Sequence, residues 1–325
     1  MLLSILFTLL GAVFVLVGAD RFTEGSVGLA RRLSVPELVI GLTVVALGTS
    51  LPEFVVSLFA SIDGAASMSI GNVVGSNLFN TLMIVGCTAL VLPIRVSAST
   101  VSKDIPFSLL ASIVLGALAL DTIFGVGENI LDRGDGIALL AFFAVFMSYT
   151  FTLATRPSSS SVTSEPAAPT VESADLPSVL SISLWLLIGL AGLIGGGQLF
   201  VTGACDIARN LGVSEAVIGL TLVAGGTSLP ELATSIVAAR KGQSDIAIGN
   251  VVGSNLFNIF WILGTCACIT PMPVQGIDWT DFAMLLLSGV LFWAFSRTQH
   301  RVIRWEGAVL VATYLGYLAW LLTQA

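Results

Sequence analysis

The sequence predicts an all-α membrane protein: ten transmembrane helices arranged as two inverted five-helix repeats. Three observations carry this. The chain of 325 residues is 55% hydrophobic and only 10% charged, whereas a soluble domain carries about 25% charged residues to cover its wet surface. Apolar stretches of spanning length fall near 2–19, 36–60, 69–92, 105–121, 136–155, 178–202, 214–238, 247–270, 280–296 and 305–323. The segment from Gly41 to Asn80 returns from Gly219 to Asn258 without a gap, at a constant offset of 178 residues and with 25 identities in 40.

The first stretch opens the chain as a helix and not as a signal peptide. It lacks a basic start and a small-x-small cleavage site, and further spans follow it. Five stretches lie on each side of 156–177, a Ser/Pro/Glu-rich segment whose composition offers no core and reads as a flexible linker. The domains expected are therefore 1–155 and 178–325 around that linker. The offset extends past the cassette, since Phe22, Arg31, Leu33 and Pro93 match Phe200, Arg209, Leu211 and Pro271. The repeat is thus the whole half. Five spans per unit turn the second copy over, which makes the halves inverted repeats.

The positive-inside rule orients the chain. With the N-terminus outside, inside loops hold eleven of the thirteen Lys and Arg residues and outside loops hold Arg133 and Arg209. Both termini are then expected outside a cell membrane. Cys87, Cys205, Cys266 and Cys268 all lie in or beside apolar segments, and there is one histidine, His300. The Cys266-x-Cys268 pair reads as packing, because no further Cys or His is near in sequence.

Two acids break the pattern. Of twenty acidic residues, eighteen are assigned to loops and helix ends, while Glu53 and Glu231 sit deep in apolar helices at matched places. A carboxylate at the bilayer centre costs roughly 2.5–3.5 kcal/mol even on the lenient insertion scale. No Lys, Arg or His at that depth offsets either one. The offsetting charge must be a bound cation or a proton. Thr49, Ser50, Thr227 and Ser228 precede the two glutamates by three or four positions, on the same helical face. Pro52 and Pro230 lack an N–H, so the carbonyls of Gly48 and Gly226 lose their helical partners. Asn72, Ser76 and Asn80 share a face of the third helix, as Asn250, Ser254 and Asn258 do in the eighth. For Asn72 and Asn250, packing and ligand roles both stay open. Asn77 and Asn255 lie one position off that face and read as bonding neighbouring helices. Gly71 and Gly75, like Gly249 and Gly253, form seams for close helix approach. The expected site holds two carboxylates and several neutral oxygens, with no nitrogen or sulfur. Such a set suits Ca²⁺ or Na⁺ and disfavours Zn²⁺ or Cu⁺. Its charge of −2 matches one Ca²⁺, or two to three Na⁺ with modest excess charge.

GTSLPE paired with GNVVGSN, once in each half, resembles the α-repeats of the Na⁺/Ca²⁺ exchanger family within the cation/Ca²⁺ antiporter superfamily. The resemblance covers nearly the whole chain and is that of a compact prokaryotic member. In larger relatives a long regulatory loop occupies the place of 156–177. It implies four ion sites between helices 2, 3, 7 and 8. The implied ligands are Glu53, Thr49, Ser50 and the carbonyl of Ala46; Glu231, Thr227, Ser228 and the carbonyl of Ala224; Ser76 and Asn80; and Ser254 and Asn258. It also implies that helices 1 and 6 slide across the core. Some relatives, including K⁺-dependent exchangers, carry aspartate at the position of Asn258, so an amide there weighs against K⁺ co-transport. The related Ca²⁺/H⁺ antiporters show GN in place of GTSLP. The function expected is therefore Ca²⁺/Na⁺ antiport, with Ca²⁺/H⁺ antiport as the alternative. An intramembrane enzyme or a passive channel fits less well: no nucleophile is partnered with histidine, and repeats around one site favour alternating access. Expected partners are the two ions and the bilayer, with no cofactor, nucleic acid or readable protein partner.

Overall fold

The computed structural model describes residues 1–125, 127–155, 177–212 and 224–324. All of the expected linker but Pro177, and the segment 213–223, lie outside the described residues. Every long apolar stretch within them forms a helix, as it must where lipid offers the backbone no hydrogen bonds. The helices are α1 (Leu2–Leu33), α2 (Glu37–Thr49), α3 (Leu51–Ile62), α4 (Ala66–Val91), α5 (Thr100–Ala119), α6 (Arg133–Thr155), α7 (Val179–Asn210), α8 (Ala224–Thr227), α9 (Leu229–Arg240), α10 (Ser244–Ile269), α11 (Trp279–Arg297) and α12 (Arg304–Gln324). Among the described residues eight helices are long and apolar enough to cross a membrane, or nine if α2 and α3 form one bent span.

α1 and α7 run well past the expected ends at residues 19 and 202, to Leu33 and Asn210. At 32 residues each, they are about 48 Å long, more than the ~30 Å of a hydrocarbon core. Hydropathy drops at Asp20 and Arg21, but the helix carries on through the interface. Asp20 and Glu24, expected in a loop or at a helix end, are therefore inside α1. The two helices pack antiparallel along a glycine seam. A Cβ on Gly11 would strike the Phe200 backbone, one on Gly18 the Leu193 backbone, and one on Gly189 the Phe22 backbone.

α10 is buried along nearly its whole length and α4 along most of it, while the other spans expose most of their surface. α4 and α10 therefore form the centre with α2, α3, α8 and α9. α5, α6, α11 and α12 cover one side, where Phe107, Phe142, Phe146, Phe257 and Phe260 stack ring on ring. Gly249 and Gly253 bring α10 onto α2, where added Cβ atoms would meet Gly41 Cα at 2.9 Å and Ala46 Cβ at 2.7 Å. At the repeat offset that α2 face corresponds to residues 219–224, of which 219–223 are outside the described residues. Two short antiparallel pairs cross between the halves: β1 (Ile94–Arg95) with β4 (Arg301–Val302), and β2 (Ile130–Leu131) with β3 (Met272–Pro273).

Candidate ion-binding site

The chain bends where proline removes an N–H. α2 and α3 meet at Ser50 with a 49° bend, and Pro52 lies in the first turn of α3. Ser50 has φ −83° and ψ 6°. The matched Ser228, between α8 and α9, has φ −91° and ψ 9°, followed by Pro230. These interruptions turn the first residues of α3 and α9 inward. Glu53 and Glu231 sit in those first turns, each 1% exposed.

The two halves complete each other's carboxylates. Ser50 Oγ donates to Glu231 Oε1 at 3.1 Å, and Ser228 Oγ donates to Glu53 Oε1 at 3.0 Å. Thr227 also stands within hydrogen-bonding reach of Glu53. The Thr49 hydroxyl lies 3.0 Å from Asn250 Oδ1 and 3.1 Å from the Val45 carbonyl. The Ala46 carbonyl accepts Ser50 N–H at 3.0 Å and, more weakly, the Thr49 hydroxyl at 3.4 Å. Ala224 begins α8; its side chain lies outside the described residues.

The open question about Asn72 and Asn250 resolves into packing for their nitrogens. Asn72 Nδ2 donates to the Glu53 carbonyl and to Ser57 Oγ, at 3.3 and 3.0 Å. Asn250 Nδ2 donates to the Glu231 carbonyl and to Ser235 Oγ, at 3.3 and 3.1 Å. These bonds fasten α4 to α3 and α10 to α9.

Asn77 and Asn255 do more than bond neighbouring helices, which is how the sequence alone reads them. Asn80 Nδ2 donates to Asn255 Oδ1 at 3.1 Å, and Asn258 Nδ2 donates to Asn77 Oδ1 at 3.0 Å. Asn77 Nδ2 is in turn held by the Asn255 carbonyl at 3.2 Å, and Asn255 Nδ2 by Thr81 Oγ1 at 2.8 Å. Each amide nitrogen at positions 80 and 258 is thereby committed to the opposite half. Its carbonyl oxygen must point the other way. Both residues sit in wide i→i+5 turns, Phe79–Ile84 and Phe257–Leu263, a backbone form that recurs at functional sites. The GSN run carried the signal for this lock: an asparagine adjacent to a ligand-face serine, in both repeats.

Six oxygens remain. Glu53 Oε2, Glu231 Oε2, Ser76 Oγ, Ser254 Oγ, Asn80 Oδ1 and Asn258 Oδ1 are buried without a hydrogen-bond partner among the described residues. They form three pairs at the repeat offset, on helices that pack against one another. Six other buried oxygens among the described residues are also unpaired, Asp104 Oδ2 and Ser69 Oγ among them, but none of those has an unpaired counterpart at the repeat offset. A cavity of about 640 Å³ reaches the site from one end, lined by Leu51, Pro52, Val56, Gln198, Val201 and Thr227 among others.

An integral multi-pass membrane protein with a buried centre of paired carboxylates and neutral oxygens belongs to the class of cation transporters. The chain matches the family described as sodium/calcium exchanger protein over residues 3–152 and 181–323, and it belongs to that family. Members of this family are transporters and not enzymes. The chain is 36% identical to the inner membrane protein YrbG of Escherichia coli K12, over 99% of this chain and 97% of that one. It is 34% identical to the sodium/calcium exchanger MaX1 of Methanosarcina acetivorans, over 97% of each. It is similar in structure to the sodium-calcium exchanger NCX_Mj solved after soaking with Na⁺ and Ca²⁺, with TM-score 0.82 and 34% identity over 98% of both chains.

Proposed function

We propose that the protein is a secondary antiporter that exchanges Ca²⁺ for Na⁺ by alternating access to one midplane site. The observation that carries this is the set of six unpartnered buried oxygens in three repeat-related pairs. Ca²⁺ takes six to eight oxygens at 2.3–2.6 Å. Glu53 and Glu231 supply the balancing charge. Ser76, Ser254, Asn80 and Asn258 supply neutral oxygens, with Thr49, Ser50, Thr227, Ser228 and the carbonyls of Ala46 and Ala224 beside them. Ca²⁺ and Na⁺ then compete for the same carboxylates. Two Na⁺ neutralise the site as one Ca²⁺ does, and a third leaves a single positive charge, so either load offsets the carboxylates in a low-dielectric site.

Ten helices in two inverted repeats, 1–155 and 178–325, joined by the linker 156–177, account for the duplicated hydrogen bonds. The antiparallel seam of α1 and α7 supports inversion, since matched helices run in opposite directions. The arginine and lysine distribution supports both termini outside a cell membrane. The GTSLPE signature and the names of MaX1 and NCX_Mj support Na⁺ as the coupling ion.

The test is isotopic Ca²⁺ uptake into proteoliposomes of the purified protein. An outward Na⁺ gradient should drive uptake, and a pH gradient at constant Na⁺ should not. Uptake driven by the pH gradient alone would assign Ca²⁺/H⁺ exchange instead.

A further inference from the structure

The two ends of the bundle are unlike. At one end α1 lies along α9. At the other end the matched pair, α7 and α3, stands apart around the 640 Å³ cavity. Because α1 and α7 share a backbone-close seam, they can move only together, and closing one end opens the other.

The closed end carries a charge cluster between α9 and α1 whose residues are not repeated at the matched positions of the other end. Lys241 ends α9, and its Nζ lies 2.6 Å from Asp20 Oδ1, 3.2 Å from the Asp20 carbonyl and 3.3 Å from Glu24 Oε1. These three acceptors match the three ammonium protons. Glu24 Oε2 is held by Arg21 Nη1 at 3.0 Å. The Arg21 guanidinium lies 4.6 Å over the Trp185 ring of α7. The chain of contacts therefore runs from α9 through α1 to α7. At the repeat offset, Asp20 corresponds to Gln198, Glu24 to Thr202 and Lys241 to Asp63. Those three positions cannot form an ion pair, so the cluster is one-sided.

We propose that Lys241, Asp20 and Glu24 form a latch that holds the α1–α7 pair against α9, and that must open before the ion site is exposed at that end. This rests on the alternating-access reading above. Half-exposed ion pairs are individually weak. Between two nearly balanced states, however, a small difference shifts populations severalfold. The latch thus biases the protein toward the state with the cavity open.

The test places a reporter cysteine in the cavity, Val56→Cys, in the otherwise intact protein in proteoliposomes. Its labelling rate by a water-soluble maleimide is read against the parent's own four cysteines. Lys241→Gln should slow labelling severalfold, because the cavity closes more often. Asp20→Asn with Glu24→Gln, which removes the partners from the other helix, should do the same. Lys241→Asp with Asp20→Lys should return the rate toward that of the parent. Equal rates in all variants, in a protein whose labelling still changes when Ca²⁺ replaces Na⁺, would overturn the latch alone. Rates that respond neither to the ions nor to Lys241 would overturn the latch and alternating access together.

Discussion

At the level of single residues, the two glutamates are expected to be indispensable for transport and dispensable for folding. Each already has one oxygen satisfied by a serine of the other half, and a glutamine oxygen can accept the same bond. What glutamine cannot do is balance a cation. Removing one partner from a buried charge pair costs about 3–5 kcal/mol. At 1.4 kcal/mol per tenfold, Glu53→Gln or Glu231→Gln should lower Ca²⁺ exchange by more than roughly 100-fold, while the variant still elutes as a folded species. Near-normal flux from either variant would remove the carboxylates from the site. Asn77 and Asn255 call for a different signature. Asn255→Ala leaves Asn80 Nδ2 without its acceptor and frees the side chain to rotate; Asn77→Ala does the same to Asn258. An unsatisfied buried donor costs about 1–3 kcal/mol. The half-saturating Ca²⁺ concentration should therefore rise on the order of tenfold, with the maximal rate much less changed. A fall in maximal rate at unchanged half-saturation would mean that the asparagines serve the transition and not the ligands.

At the level of elements, what could be read in advance depended on whether a helix is defined by hydropathy or by backbone geometry. The spans over α5, α6, α10, α11 and α12 are legible to within a few residues, because apolar length alone makes them helical. The polar residues of the candidate site are legible because polar groups inside apolar helices stand out and recur at one offset. The length of α1 and α7 is not legible, since hydropathy ends at Asp20 while the helix does not. The wide turns at Phe79–Ile84 and Phe257–Leu263 have no proline or glycine to announce them; packing imposes them. The cross-half asparagine lock needed the fold, because residues 77 and 255 meet only when the halves are assembled. The glycines sort by the same logic. A Cβ at Gly253 would sit 2.7 Å from Ala46 Cβ and 2.8 Å from the Leu42 carbonyl, whereas one at Gly316 meets nothing within 4 Å. Gly253→Ala should therefore destabilise by about 1–3 kcal/mol through overpacking and push α2 off the ion site. Gly316→Ala should be neutral, or stabilising by about 0.5–1 kcal/mol through helix propensity. Thermal unfolding in detergent, with Ca²⁺ uptake alongside, would check both. Equal stability for the two variants would show that the α2–α10 seam is looser than these distances imply.

At the level of the whole molecule, neither half can be complete alone. Glu53 finds its serine donor on Ser228 and Glu231 on Ser50, so each carboxylate takes that hydroxyl bond from the other half. Asn80 and Asn258 are oriented only across the same divide. Both strand pairs join one half to the other, and the α1–α7 seam is the most extensive helix contact among the described residues. A half expressed by itself would leave a carboxylate in the membrane, at roughly 2.5–3.5 kcal/mol, together with unsatisfied amides. The Ser/Pro/Ala composition of 158–174 offers neither a core nor ligands, so covalent continuity there should matter only for bringing the halves together. Residues 1–160 and 174–325, co-expressed as separate chains, should therefore co-purify and recover at least about a tenth of the parent Ca²⁺ exchange, given the mM effective concentration that a short linker supplies and a split chain loses. Either half alone should show none and should be degraded or aggregate. Exchange by one half alone would mean that the site does not span the repeat boundary. Stable co-purification without any exchange would instead give the linker a part in the transport cycle.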